Sequence, residues 1–185
     1  MALGARFEST LVGASAGAEW ALAELYRELH PPLLRYLEAQ RPGEGEDLAS
    51  ETWIGIAEAL HRFEGDEAAF RRFAFTIARR RLVDARRRQA RRRTDVVPSA
   101  WFAGLEAREE SETEALAGLS TSAALGRLGE LPSDQAEVVL LRVLGGLDAR
   151  EVALITGKAP GTVRVLQHRA LRRLASLLVQ EGVTP

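Results

Sequence analysis

The stretch GTVRVLQHRALRRL, residues 161 to 174, decides how this chain is read. Apolar side chains recur there and just beyond at Val163, Leu166, Ala170, Leu171, Leu174, Leu177 and Leu178, which is one face of a helix of 3.6-residue period. The other face carries Arg164, His168, Arg169 and Arg172 and begins just after Pro160-Gly161. In front of it lies DAREVALIT, 148 to 156, followed by Gly157. Asp148 with Glu151 three residues on is a capping-box start. Two short helices joined by a glycine-containing turn, the second basic on its outer face, predict a helix-turn-helix, with an ordinary helical hairpin as the competing reading. In a reader of this kind the first two turns of the second helix enter the major groove. The projection nominates Thr162, Arg164, Val165 and His168, with Arg169 nearer the backbone.

Moving upstream, Ala136, Val139, Leu140, Val143 and Leu144 make an amphipathic helix after Leu131-Pro132-Ser133, ended by Gly145-Gly146. Residues 94 to 120 lose periodicity and turn acidic, which reads as a linker, with a further turn or two of helix between Leu116 and Leu128. Before it stands a basic block: eleven arginines between Arg71 and Arg93 against one acid, Asp84. Its apolar stripe is Phe70, Phe73, Ala74, Ile77, Ala78, Leu82 and Ala85, so a helix over about 68–92 is predicted, with Asp66 as its N-cap. The opposite side bears Arg71, Arg72, Arg79, Arg80, Arg86 and Arg87, with almost no acids three or four residues away to pair with. A phosphate-binding face and a plain solvated face are the two readings.

The segment from Glu46 to His61 forms another amphipathic helix, with Ala49, Trp53, Ile56, Ala57 and Leu60 inward. Asp47, Glu51, Ile54, Gly55 and Glu58 face outward. Asp47 and Glu51 could suggest acid–base chemistry, but no glycine-rich phosphate loop, serine elbow or histidine partner accompanies them. A protein-binding face competes with a solvated one. Earlier, a helix begins near Ala18 with Trp20, Leu25 and Leu29, is interrupted or kinked at Pro31-Pro32, and resumes as LLRYLEAQ. Residues 1 to 16 read as a loose arm. Trp53 and the phenylalanines 70, 73 and 75 could stack on bases, although core packing is the default, and Phe75 lies off the stripe. His168 has no ligand-spaced partner among the other histidines, His30 and His61, so no metal site is expected.

Composition narrows the classes. The 185 residues carry a net charge of −1 and no cysteine, excluding disulfides, thiol catalysis and cysteine-ligated zinc. Twenty-four of the twenty-five basic residues are arginine, which suits bidentate phosphate or base contacts. No apolar run is long enough to span a membrane, and residues 1 to 17 lack a signal-peptide pattern, so a cytoplasmic protein is expected.

Two blocks together resemble one family. EDLASETWIGIAEALHRFEGDEAAFRRFAFTIARRRLVDARRRQARR, 46 to 92, resembles the second conserved region of bacterial RNA polymerase sigma factors. LPSDQAEVVLLRVLGGLDAREVALITGKAPGTVRVLQHRALRRL, 131 to 174, resembles their fourth. The short acidic linker and the absence of other regions point to the extracytoplasmic-function (ECF) subgroup. The resemblance implies an all-α fold of two helical modules joined by a flexible acidic linker. Its divisions would be a flexible arm (1–16), a region 2-like domain (17–93), the linker (94–125) and a region 4-like helix-turn-helix domain (126–185).

It also implies a non-enzymatic function: binding core RNA polymerase at its clamp and flap regions, recognising minus-10 and minus-35 promoter elements, and assisting melting. Asp47, Leu48, Glu51, Thr52 and Trp53 match the segment that grips the clamp. Glu64, Gly65, Asp66 and Glu67 match the loop that captures a flipped minus-10 base. The helix behind it, through Phe70, Arg71, Arg72, Phe75, Arg79 and Arg80, would hold the separating strands. Gly161 to Arg169 match the minus-35 reader. The linker would thread into a positively lined channel of the polymerase. Partners are therefore core polymerase, promoter DNA and, in many family members, an anti-sigma factor; no cofactor, metal or catalytic residue is implied. Two departures stand out. VLQHRA, 165 to 170, occupies the place of an SRLHRA-type run, and Gly55 and Ala57 stand where arginine and tryptophan are common.

Overall fold

The computed structural model describes residues 3–93 and 127–180. Among them are seven α-helices, two short 3-10 turns and no strand. The expected acidic linker and the helix turns up to 126 lie outside the described residues.

The first module holds α1 (Phe7–Ser15), α2 (Glu19–Gln40), α3 (Gly45–Leu60) and α4 (Glu67–Arg93). Each buries one stripe. On α2 it is Ala21, Leu25, Leu29, Leu33, Tyr36 and Leu37, at the three- and four-residue steps that keep side chains on one face. On α3 it is Leu48, Ala49, Thr52, Ile56 and Leu60. On α4, Phe70, Ala74, Ala78, Leu82 and Ala85 are buried, with Phe75 beside them. Phe70 sits amid three other rings, its centroid 5.8 Å from Phe7, 5.2 Å from Phe63 and 5.9 Å from Phe73. The helices α3 and α4 pack closely because position 55 is glycine: a Cβ there would lie 3.1 Å from both Ile77 and Arg81.

Two expectations are corrected. Residues 1 to 16 were expected as a loose arm, yet Gly4–Arg6 form a 3-10 turn and Phe7–Ser15 form α1. The cause is the burial of Leu3, Phe7 and Ala14 against α2 and Phe70, which small and polar neighbours conceal in the sequence. The proline pair was expected to interrupt or kink α2; interruption is ruled out, because the helix continues through Pro31 and Pro32. Burial of Leu29, Leu33, Tyr36 and Leu37 on both sides of the pair holds the helical path despite the lost donors.

The second module is α5 (Ser133–Val143), α6 (Ala149–Thr156) and α7 (Pro160–Gln180), preceded by a 3-10 turn at Leu128–Glu130. Val152, Ala153 and Ile155 of α6 and Val163, Ala170 and Leu174 of α7 are buried. Helix α7 packs on α5 and α6, while α5 also meets α2 and α6 meets α4. The two modules therefore touch.

Where they meet, Tyr36 is fully buried and its hydroxyl has no hydrogen-bond partner among the described residues. Burial, and then the charge of Glu137, raise its pKa far above the ordinary phenol value, so the group stays neutral. A buried hydroxyl without a partner forfeits its hydration. Tyr36→Phe should therefore raise stability by about 1 kcal/mol in urea unfolding; a loss of similar size would show that the hydroxyl is bonded.

Candidate nucleic-acid interface

The second module presents its candidate residues on a rigid corner. Asp148 Oδ1 accepts from the backbone N–H groups of Arg150 at 2.7 Å and Glu151 at 2.8 Å. Glu151 Oε2 accepts in return from the Asp148 N–H at 2.7 Å, completing the capping box. Helix α6 ends at Gly157, whose φ of +70° places it in the left-handed region open to glycine. Arg142 then fastens the corner from behind, its Nε donating to Gln167 Oε1 at 3.2 Å and its Nη1 to the Leu147 carbonyl. Leu166 packs against the core. The departures at 166 and 167 are thus absorbed by the scaffold: leucine turns inward and glutamine is held by α5.

This arrangement leaves Gly161, Thr162, Arg164, Val165, His168 and Arg169 exposed on the first turns of α7. Val165 is 48% exposed, a large apolar side chain in water beside two arginines. Guanidinium forks, a hydroxyl and an apolar tip at a helix start are the groups that read base edges in a major groove.

In the first module the candidates divide. Asp66 caps α4, its Oδ1 accepting from the Ala69 N–H at 2.8 Å. Glu64, Gly65 and Asp66 are exposed, and the Gly4 N–H donates to Glu67 Oε2 at 2.8 Å. The N-terminal turn consequently forms one side of a depression of about 590 Å3, with Gly65, Asp66 and Glu67 on the other. Nothing in the sequence pattern pointed to that wall except the buried spacing of Leu3 and Phe7.

Phe70 and Phe75 are both 0% exposed, so core packing, the default for Phe70, holds for both, and neither is placed to touch a separating strand as the resemblance implied. Phe75 lies edge-on to Tyr36, ring centroids 5.4 Å apart, so the position off the α4 stripe faces α2 instead of solvent. Of the arginines, Arg80 is exposed, whereas Arg71, Arg72 and Arg79 are half-buried.

The candidate partner-binding residues divide in the same way. Leu48 is buried and Thr52 is fully so, its hydroxyl donating to the Leu48 carbonyl at 2.7 Å. These two are corrected from contact residues to supports, because the buried stripe of α3 runs through 48, 49, 52 and 56. Asp47 is exposed, Glu51 half-buried and Trp53 half-buried. Unforeseen was an aromatic cluster beside them: Tyr26 lies 4.9 Å from the Trp53 ring and 4.4 Å from His30, with Ile54 also exposed.

Comparison with known proteins follows this geometry. The family description Sigma-70 region 2 matches residues 25–92, and Sigma-70, region 4 matches residues 123–174. The chain is 33% identical over 188 residues to ECF RNA polymerase sigma factor SigD of Mycobacterium tuberculosis, covering 97% of this chain and 87% of that one. It is 36% identical over 189 residues to ECF RNA polymerase sigma factor ShbA of Streptomyces griseus, covering 94% and 98%. Two solved structures share the fold. CnrH in complex with the cytosolic domain of CnrY matches with a TM-score of 0.61 at 20% identity, over 92% of this chain and 96% of that chain. The sigma factor RpoE in complex with the anti-sigma factor NepR, from Bartonella quintana, matches at 0.61 and 24%, over 84% and 96%.

The capping box makes the corner pH-dependent. The bond from the Glu151 N–H, and then that from Arg150, hold the Asp148 carboxyl below its ordinary pKa. Its stabilisation is therefore present above the ordinary aspartate range and is lost as pH falls through the lowered value. Asp148→Ala should be less stable than the parent chain in urea at neutral pH, with the difference shrinking to nothing in acid.

Proposed function

The chain belongs to the ECF RNA polymerase sigma factors, and from that premise we propose a division of labour between its two modules. Members of this family confer promoter-specific initiation of transcription on RNA polymerase, a recognition role and not a catalytic one. The second module, from about 126 onward, reads the minus-35 element through Thr162, Arg164, Val165, His168 and Arg169. The observation that carries the reading is the exposure of these groups at the start of α7, on a corner fixed by the capping box and Arg142.

The first module, up to residue 93, carries the minus-10 and polymerase functions. The loop at 64 to 67 takes a flipped base, and α4 holds the separating strands by their phosphates through Arg80 and the arginines around it. Phosphate contacts set register while base contacts choose sequence, which suits a helix of arginines behind a short exposed loop. Asp47, Glu51 and the edge of Trp53 bind the polymerase clamp, with Leu48 and Thr52 holding them in place, and the second module meets the flap. RpoE was solved with the anti-sigma factor NepR; an anti-sigma protein belongs among this chain's partners as well.

Arg164→Ala should reduce transcription from cognate promoters roughly tenfold, the discrimination expected of one bidentate base contact, while co-purification with core polymerase is retained. Undiminished transcription would remove Arg164 from the reader. Reversing charge at Asp47 and Glu51 should instead weaken co-purification with core polymerase. Full retention of binding would place the clamp contact elsewhere, and tight sequence-specific binding of duplex DNA by the isolated chain would favour a stand-alone regulator.

A further inference from the structure

One half-buried arginine of α4 meets no acid of its own chain. Arg71, Arg72 and Arg79 each have a carboxylate oxygen within 3.5 Å. Arg81 is half-buried as well, yet it forms no ion pair among the described residues, and its Nε is buried without a hydrogen-bond partner there. The acids around it are engaged elsewhere. Asp84, three residues on, lies 3.8 Å from Arg87, and Glu51 accepts from Arg88 Nη2 at 3.4 and 3.5 Å.

A missing side chain sets the place of this guanidinium. A Cβ on Gly55 of α3 would lie 3.1 Å from Arg81 Nη2, 4.0 Å from its Cζ and 3.1 Å from Ile77 Cγ2. Glycine at 55 therefore lets a cation of α4 lie against α3, at the stripe that runs through Asp47, Glu51, Ile54, Gly55 and Glu58. We propose that Arg81 is a polymerase-binding residue, which takes a carboxylate of the clamp beside the contact made by Asp47 and Glu51. The inference rests on the clamp reading of the α3 face.

A guanidinium that has lost part of its hydration is stabilised most by a charged acceptor, and its planar fork suits a carboxylate or a phosphate. The surroundings choose between them. A phosphodiester strand laid along this groove would pass Asp47, Glu51 and Glu58 within about one Debye length, roughly 10 Å, and be repelled. A protein surface carries both signs, so a single contact can offer a cation to Asp47 and a carboxylate to Arg81. The apolar neighbours agree. Ile54 is 58% exposed, and Tyr26, 45% exposed, lies against the Trp53 ring. Aromatic residues with arginine are what the centre of a protein interface collects. Docking would dry the groove and strengthen the pair, and it would remove the desolvation cost that Arg81 carries in the free chain.

The test uses the full-length chain and core polymerase without DNA. Arg81→Met keeps the aliphatic stem and removes the charge. It should hold or raise the urea midpoint of the free chain, while weakening binding to immobilised core polymerase about tenfold, the effect of one charged hydrogen bond. Unchanged affinity, or affinity and stability falling together, would overturn the assignment. Arg81→Lys adds a second lysine to a chain whose only other one is Lys158. A water-soluble carbodiimide should then join that amine to an aspartate or glutamate of the clamp, mapped by mass spectrometry of the complex. No adduct at position 81, or one outside the clamp, would overturn the carboxylate partner. Weaker binding of a fluorescein-labelled oligothymidylate by Arg81→Met, with polymerase affinity intact, would put Arg81 on the strand and overturn the proposal as well. Failure of the underlying clamp reading shows separately: charge reversal at Asp47 would then leave polymerase binding full while Arg81→Met still weakens it.

Discussion

A half-buried guanidinium is stabilised most by an anion beside it. Water no longer solvates it fully, and without a partner the desolvation cost of the charge is left standing. Helix α4 carries more arginines than its own acids can match, and the structure answers from elsewhere in the chain. Glu67 serves Arg71, Glu137 serves Arg79, Glu151 serves Arg72 and Glu51 serves Arg88. Two of those acids belong to the second module, so the basic helix is neutralised in part across the contact between the modules. Arg80 is exposed and remains open to a ligand.

That demand explains why the molecule reads as a set of surfaces held by buried supports. Thr52 and Leu48 hold α3 so that Asp47 projects; Arg142 and Gln167 hold α7 so that Arg164 and Val165 project. The side chains with the most chemical interest are rarely those doing the holding. Phe75 illustrates the converse: a residue that looked available on a helical projection is needed against Tyr36, because α2 crosses α4 on that side.

Much of this was legible without coordinates. Helix positions followed from apolar spacing, and the ends of α4, α6 and α7 from Asp66, Asp148 and the Gly157 turn, since caps and turns are local interactions. The helix-turn-helix and its outward residues were legible for the same reason: the period of a helix fixes which side chains share a face once one stripe is known to be inside. The N-terminal helix was missed because Phe7 and Leu3 are spaced among alanine, glycine and serine, a composition that resembles a loose arm until α2 and Phe70 are present to receive them.

The sequence by itself therefore determined the all-helical class and most of the stripes the helices bury, consequences of periodicity and local hydrogen bonding, although Ala57, Val143 and Leu171, expected on those stripes, are exposed. The tertiary structure decided the rest. It placed Glu137 against Arg79 and Glu151 against Arg72, 58 and 79 residues apart, set the N-terminal turn beside the loop at 65 to 67, and assembled Tyr26, His30 and Trp53 into one cluster. Such pairings depend on where whole helices dock, a choice made by the summed burial of many side chains that no single window of residues contains. The amphipathic helix at 161 to 174 was visible from the start; that its module packs against α4 of the other was not.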